Sequence, residues 1–478
     1  MNRIFLFALF CFIFIIRSHA QLTLEQCVEK AWANNLQLAQ SSLNLDNAEI
    51  GVQNAMGGFL PNLNGQASHG YNWGQRIDPF TNSFASQRIQ SNSFGVSSSI
   101  DLFTGGQNWS NYQRSLADVR KAQWDWENAR NQTALAVANA FLTVVMNAEF
   151  VKMAQATADN SLQQLNRLNK LLGIGTVSEG NVAEMEAQYS ADAASLVSAQ
   201  NNYQLAKLNL VQLLRLSSSE ANSFEVSYPN IDQFKLDIPL PPKSLVLESA
   251  LNAQPSIKSA EVGVLSAHWA EKSAKGARYP RLSASMSLGT GYSGAAKVLN
   301  GSPDSLSFPI GTVMGSNDIV FSFPQLVYSA DDYKVKSFGN QFQDNVNRSF
   351  FLSLTIPLFN GFQTHNNVKR AAINVQNASL SLELAKQQLT TDVETAYASA
   401  LGAAQTLQAN KKSWESNQKA YDWASTRYEN GMINAMELSI ARNRLDIAKA
   451  QMIRSQLDLI FKQNIIQFYM NQPIRLQP

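Results

Sequence analysis

A duplication governs what this chain can fold into. Ala31 to Leu63 aligns with Ala250 to Leu282 at a constant offset of 219. Further on, the pattern from Phe94 to Phe103 recurs from Phe350 to Phe359, and Gly105, Gly175 and Val182 meet Gly361, Gly431 and Leu438 at an offset of 256. The offset rises from 219 to 256 between positions 282 and 350, so one insertion of 37 residues separates the copies. Repeats of this size set the plan of the whole fold.

Each copy reads as helix, strand, loop, strand, long helix, turn, helix. The first helix is expected over Thr23 to Met56, opened by the capping pattern Thr23-x-x-Gln26 and ended at Gly57-Gly58. Phe94, Val96, Ile100 and Leu102 alternate with Ser97, Ser99 and Asp101, and Leu352, Leu354, Ile356 and Leu358 alternate with Ser353 and Thr355. Period two with one apolar face is a half-buried strand or a strand with lipid on one side and water on the other. Strands are expected near 60–74, 91–103, 281–292 and 347–359, and the longer loop near 293–346 shows no helical period.

No proline interrupts 107–172 or 363–428, which predicts helices roughly 100 Å long at 1.5 Å per residue. Val393, Tyr397, Ala400, Ala404, Leu407, Trp414, Tyr421 and Tyr428 form one stripe; Val137, Phe141, Val144, Ala148, Val151, Leu162, Leu165 and Leu172 form its mate. Leu438, Leu445, Met452, Leu459 and Ile466 repeat every seven residues. That period predicts helices coiling side by side.

Residues 1–20 read as a cleaved secretion signal: a basic start, an apolar run from Ile4 to Ile16, and Ser18-His19-Ala20 for the peptidase. No later stretch of about 20 residues reads as a helix able to cross a bilayer. The chain carries 38 Lys+Arg and 36 Asp+Glu; losing Arg3 and Arg17 leaves 36 of each, which argues against a nucleic-acid partner. Cys27 is the one cysteine after the leader, so no internal disulfide is available, and a small buried side chain is expected there. His69, His268 and His365 stand too far apart for a metal motif, and no GxSxG elbow occurs; no catalytic site, cofactor or metal is expected. Gly289-Thr290-Gly291-Tyr292-Ser293-Gly294 matches a dinucleotide fingerprint, but no helix is expected to start there, and it reads as a loop at a strand end.

Three stretches carry a family resemblance: Leu22-Thr23-Leu24-x-x-Cys27-Val28-x-x-Ala31-x-x-Asn34-Asn35; the strand ends Leu102 to Gly106 and Ile356 to Gly361; and Arg427-Tyr428-x-x-Gly431-x-Ile433-x-x-x-Glu437-Leu438. In this order they resemble the TolC family of outer-membrane efflux proteins. The resemblance implies an α+β membrane protein of TolC-like fold: a homotrimer whose four strands per protomer close a 12-stranded outer-membrane β-barrel, with a long antiparallel coiled-coil helical tunnel in the periplasm. Residues 21–216 and 244–472 are then two TolC-like repeats, 217–243 an equatorial connector and 473–478 a tail. The implied partners are outer-membrane lipid, a periplasmic adaptor protein and an inner-membrane transporter.

The resemblance also points to sites. The turns at Gly175–Asn181 and Gly431–Glu437, with Tyr428, are the implied periplasmic tip and gate, where the family's acidic position falls on Glu437 in one copy and Asn181 in the other. A basic residue the family often carries two positions after the second glycine is Ile433 here. Glu179 and Glu184 are candidates for an acidic ring, or else helix-first-turn carboxylates. Tyr71, Trp73 and Tyr292 are candidates for an aromatic girdle. The competing reading is a soluble periplasmic coiled-coil adaptor; it does not call for two full copies of the helix–strand–strand–helix–helix plan.

Overall fold

The structure, a computed structural model, describes residues 21–85, 88–228, 239–316 and 318–472. The leader, residues 229–238 of the connector and the tail therefore lie outside the described residues. Two compact units emerge: the described parts of Met1–Ile50, Leu116–Ala267 and Asn374–Pro478, and of Gly51–Ser115 with His268–Ile373. Each unit draws on both repeats.

The expected first helix is two: α1 (Leu24–Asn34) and α2 (Leu36–Gly57). Thr23 and Gln26 form the reciprocal capping box. Asn35 causes the break, with ψ 123°, its N–H bonded to Ala31 O and its Oδ1 accepting from the N–H groups of Gln37 and Leu38. One side chain thus ends one helix and starts the next. After α2 come β1 (Asn64–Asn72), β2 (Ile89–Phe103), α3 (Gln107–Gly173) and α4 (Glu179–Leu214). The second copy supplies α5 (Lys243–Ala253), α6 (Pro255–Gly276), β3 (Arg281–Ser293), the loop helix α7 (Phe338–Asp344), β4 (Asn347–Thr355), α8 (Gln363–Glu429) and α9 (Ala435–Tyr469). Gln254 repeats the break of Asn35, with Pro255 opening α6. α3 and α8 each run 67 residues unbroken.

The helical unit holds two cores that are repeat-mates. Cys27, Val137, Phe141, Val144 and Leu210 are buried in the first; their counterparts Val246, Val393, Ala400 and Ile466 are buried in the second, with Tyr397 packed against it. Cys27 takes the place Val246 holds in the other copy, and burial pushes its thiol up to about 12. Of the heptad row, Leu438, Leu445, Leu459 and Ile466 are buried as expected, and Met452 is half-buried against Leu407 and its neighbours. Leu162 departs from its expected stripe: it is exposed, and Ala158, Ser161 and Leu168 are buried instead. A second correction concerns α3, which does contain a window long and apolar enough, by composition, to cross a membrane. Its Val137, Ala138, Phe141, Val144 and Val145 are core residues, so core packing accounts for that apolarity.

In the second unit, four strands form one antiparallel sheet in the order β4–β3–β2–β1. β2 meets β3 from Ser91↔Ser293 to Asp101↔Ser283, then slips so that Phe103 faces Leu282. Leu102 is therefore the extra residue of a bulge rather than the next member of the alternation. The longer loop near 293–346 carries short elements of its own. It holds short ladders, including 309–312 with 319–321, and α7, capped by Ser337. α7 is too short for periodicity to reveal, yet Phe338 and Phe342 pack on Phe94 with ring centroids 6.1 and 5.8 Å away.

A buried clasp joins the two loops. Asp78 accepts from the N–H groups of Phe80 and Thr81 and from the Ser293 hydroxyl at 2.5 Å, while Gln341 pairs with both backbone groups of Ser293. Burial alone would raise the Asp78 carboxyl; the hydrogen bonds from Ser293, Thr81 and Phe80 outweigh it and hold the group below its usual 3.8. Its folded pKa is depressed, so the clasp is fully stabilising above 3.8 and is lost as the pH falls through the lower folded value. Pepsin cleavage within 73–88 should rise as the pH drops below that value, and Asp78→Ala should show the same cleavage at a pH where the native protein resists. Equal resistance in the variant would contradict the clasp.

Candidate functional site

The sheet sorts its side chains by chemistry. On one face, Phe350, Leu352 and Leu354 stand opposite Met286, Ala284 and Leu282, with Val96 opposite Leu288. Phe350, Leu352 and Leu354 are each more than 60% exposed, as is Phe351 on the other face. That other face carries Ser97, Ser283, Ser285, Ser287 and Ser353. Hydroxyl pairs cross it, Ser68 with Ser93 at 2.7 Å and Ser287 with Ser349 at 2.6 Å, and Arg281 clasps Asp101 at 3.1 and 2.5 Å. A sheet wet on one side and apolar but uncovered on the other is the surface of a lipid-facing strand. Both outer strands, β1 and β4, have one edge unpaired among the described residues. Open edges do not persist in lipid, where every backbone group needs a partner.

Of the girdle candidates, Tyr71 and Trp73 are exposed at the end of β1 with ring centroids 6.2 Å apart. Tyr292 stands apart from them, half-buried against Phe338 at 5.8 Å. The dinucleotide-like stretch is strand from Gly289 to Ser293, not loop, and a Cβ at Gly291 would overlap the Phe80 ring. No helix starts there.

The two tips are close copies. α3 ends with Gly175 at φ +78°, with Gly175 N–H on Leu172 O and Thr176 N–H on Leu171 O. α8 ends with Gly431 at φ +70°, with Gly431 N–H on Tyr428 O and Met432 N–H on Arg427 O. Both are helix ends that need a left-handed residue. Ser178 and Asn434 then cap α4 and α9 by accepting from the N–H of Asn181 and Glu437. Asn181 and Glu437 therefore occupy the same third helical position, both exposed. The Glu437 carboxylate has no hydrogen-bond or ionic partner among the described residues. Glu179 opens α4, where the helix dipole favours a carboxylate; Glu184 lies beyond that first turn, so the dipole does not account for it. Arg167 lies over the Tyr428 ring at 5.5 Å.

A polar latch near the tips escaped the sequence reading. Asp446 accepts from Thr157 of α3 at 3.1 Å and from Arg442 at 3.2 Å; Arg442 also donates to the Tyr421 hydroxyl of α8 at 3.3 Å and lies over its ring. Burial would lower the Arg442 pKa; Tyr421 and Asp446 raise it above the usual value. Three long helices are thereby tied by one ion pair, Asp446 reaching α3 and Arg442 reaching α8. The spacing of Arg442 and Asp446 was visible in the sequence, whereas Thr157 lies 289 residues away from Asp446. Among the described residues no cluster of His, Cys, Asp and Glu could hold a metal.

A family model described as outer membrane efflux protein matches residues 27–214 and 321–471. The Escherichia coli (strain K12) outer membrane protein TolC is 23% identical over 447 residues, covering 92% of this chain and 80% of that protein. Its Salmonella enteritidis counterpart is 23% identical over 451 residues, covering 93% and 81%. Among solved structures, CusC superposes with a TM-score of 0.72 at 16% identity, covering 94% of this chain and 92% of that one. The open state of the Neisseria gonorrhoeae MtrE outer membrane channel gives 0.69 at 18%, covering 95% and 90%.

Proposed function

The chain belongs to the outer membrane efflux protein family, and we propose that it is the outer-membrane exit duct of a tripartite efflux or secretion system. The family is one of channel proteins placed in the outer membrane, working with a periplasmic adaptor and an inner-membrane transporter. The observation that carries the proposal is the sheet: apolar and uncovered on one face, hydroxyl-lined on the other, open at both edges. Three copies close it into a twelve-stranded barrel with the serines facing water. Conduction is passive in this reading, through a lining of hydroxyl groups, and the transporter supplies the energy.

The tips supply the gate in this reading. Threefold repetition sets three Glu437 carboxylates around the entrance, and the Thr157–Asp446–Arg442–Tyr421 latch holds the helices that carry them. The purified protein in a planar lipid bilayer should conduct ions with a preference for cations. Glu437→Gln should weaken that preference without loss of insertion, as removing a charged ring does in other pores. Unchanged selectivity would take Glu437 out of the gate, and a protein that neither inserts nor conducts would overturn the duct.

A further inference from the structure

A cavity of about 480 Å³ opens in the helical unit between α3, α8 and α9. Its size falls in the usual range of small-molecule sites, about 300–1,000 Å³. Leu142 and Leu457 floor it, both buried members of the first core, and Met146 and Phe461 add half-buried apolar walls. Thr406 of α8 and Arg454 of α9 stand exposed at its mouth.

The charged side chains that line the cavity are Arg454 and Asp458, one turn apart on α9. Asp458 is already paired, with Lys462 Nζ at 2.8 Å. Arg454 has no hydrogen-bond or ionic partner among the described residues. The cavity thus presents one uncompensated positive charge, with its fork of N–H donors, above an apolar floor. The duplicated helix packing does not require this arrangement. At the offset of 256, the mates of Thr406 and Arg454 are Phe150 and Ser198. A phenylalanine at 406 would fill the space, and a serine at 454 would remove the charge.

The direction of the opening follows from α3. Val137, Phe141 and Val144 pack in one core with Cys27 of α1. Asn139, Thr143 and Met146 each follow one of them by two residues, about 200° round the helix, and line the cavity. The cavity therefore opens on the side of α3 away from α1.

We propose that this cavity binds an amphipathic organic anion, a carboxylate or sulfonate carried on an aromatic or short apolar body. The anionic group meets the Arg454 guanidinium, whose two parallel N–H groups match a carboxylate. The body lies on Leu142, Met146, Leu457 and Phe461, and a cation of the same shape is repelled. The inference rests on the proposed duct for its setting: with α1 on the outside of the wall, the cavity faces the tunnel. Anions of this class then pause in the wall on their way through.

Equilibrium dialysis of naphthoate at neutral pH against the protein in lipid nanodiscs, with empty nanodiscs as the blank, tests the site. The native protein should bind naphthoate saturably. Thr406→Phe should abolish that binding, and Arg454→Gln should weaken it about three- to tenfold. Both positions are exposed, and helical circular dichroism checks that each variant is folded. The neutral amide of the same ring should bind native and Arg454→Gln protein alike. No saturable binding to the native protein, binding unchanged by Thr406→Phe, or equal affinity of Arg454→Gln for naphthoate would each overturn the proposal. Conductance in a planar bilayer is measured on the same preparations. A protein that binds naphthoate as described but does not conduct keeps the site and overturns the duct.

Discussion

Phe141→Ala should destabilise the helical core by about 3–5 kcal/mol, the usual cost of deleting a buried aromatic ring. Phe141 has no exposed surface and lies in one cluster with Cys27, Val137, Val144, Val145 and Leu210, side chains drawn from α1, α3 and α4. Its removal leaves a cavity that three helices would have to close together, and 67-residue helices have little freedom to shift locally. The repeat provides an internal control. Tyr397 holds the matching position in the second core but is only half-buried, so Tyr397→Ala should cost distinctly less. Denaturant unfolding followed by helical circular dichroism in detergent measures both. Equal losses, or a loss under about 1 kcal/mol for Phe141→Ala, would contradict the core as described.

Gly105→Ala should be the most damaging single methyl addition at the strand-to-helix turn. Gly105 has φ +62°, which costs an alanine about 1–2 kcal/mol. The added Cβ would also overlap Gly276 O and come within 2.7 Å of Tyr279 Cβ. One obstacle is backbone, so a helix end must move, at a further cost of roughly 1–3 kcal/mol. Gly361 has nearly the same backbone, φ +64°, with no neighbour within reach inside the chain. Gly361→Ala should therefore show only the conformational part in the unassembled chain. Refolding yield and thermal midpoint of the two variants, measured side by side, separate these contributions.

Much of this architecture is written in the sequence because a repeat constrains the chain twice. The four strands, the two long helices and the glycine turns lie close to where the alternation and the two offsets set them. Heptad spacing found the buried row from Leu438 to Ile466. What escaped depends on single side chains or on distant partners. The break at Asn35 arises from one amide capping a new helix, although Pro255 in the other copy signals it. α7 is stabilised by Ser337 and by phenylalanines packed on a strand, neither of which has a period. The bulge at Leu102 follows the alternation until the pairing slips. The latch joins Thr157 to Asp446, a pairing that local pattern cannot carry.

Electron cryomicroscopy of the protein in lipid nanodiscs tests the central claim most directly. The account predicts three copies around one axis, a single closed twelve-stranded barrel in the lipid, and Phe350, Leu352 and Leu354 pointing outward. A single chain, or a sheet whose apolar face is covered by protein rather than lipid, would contradict it.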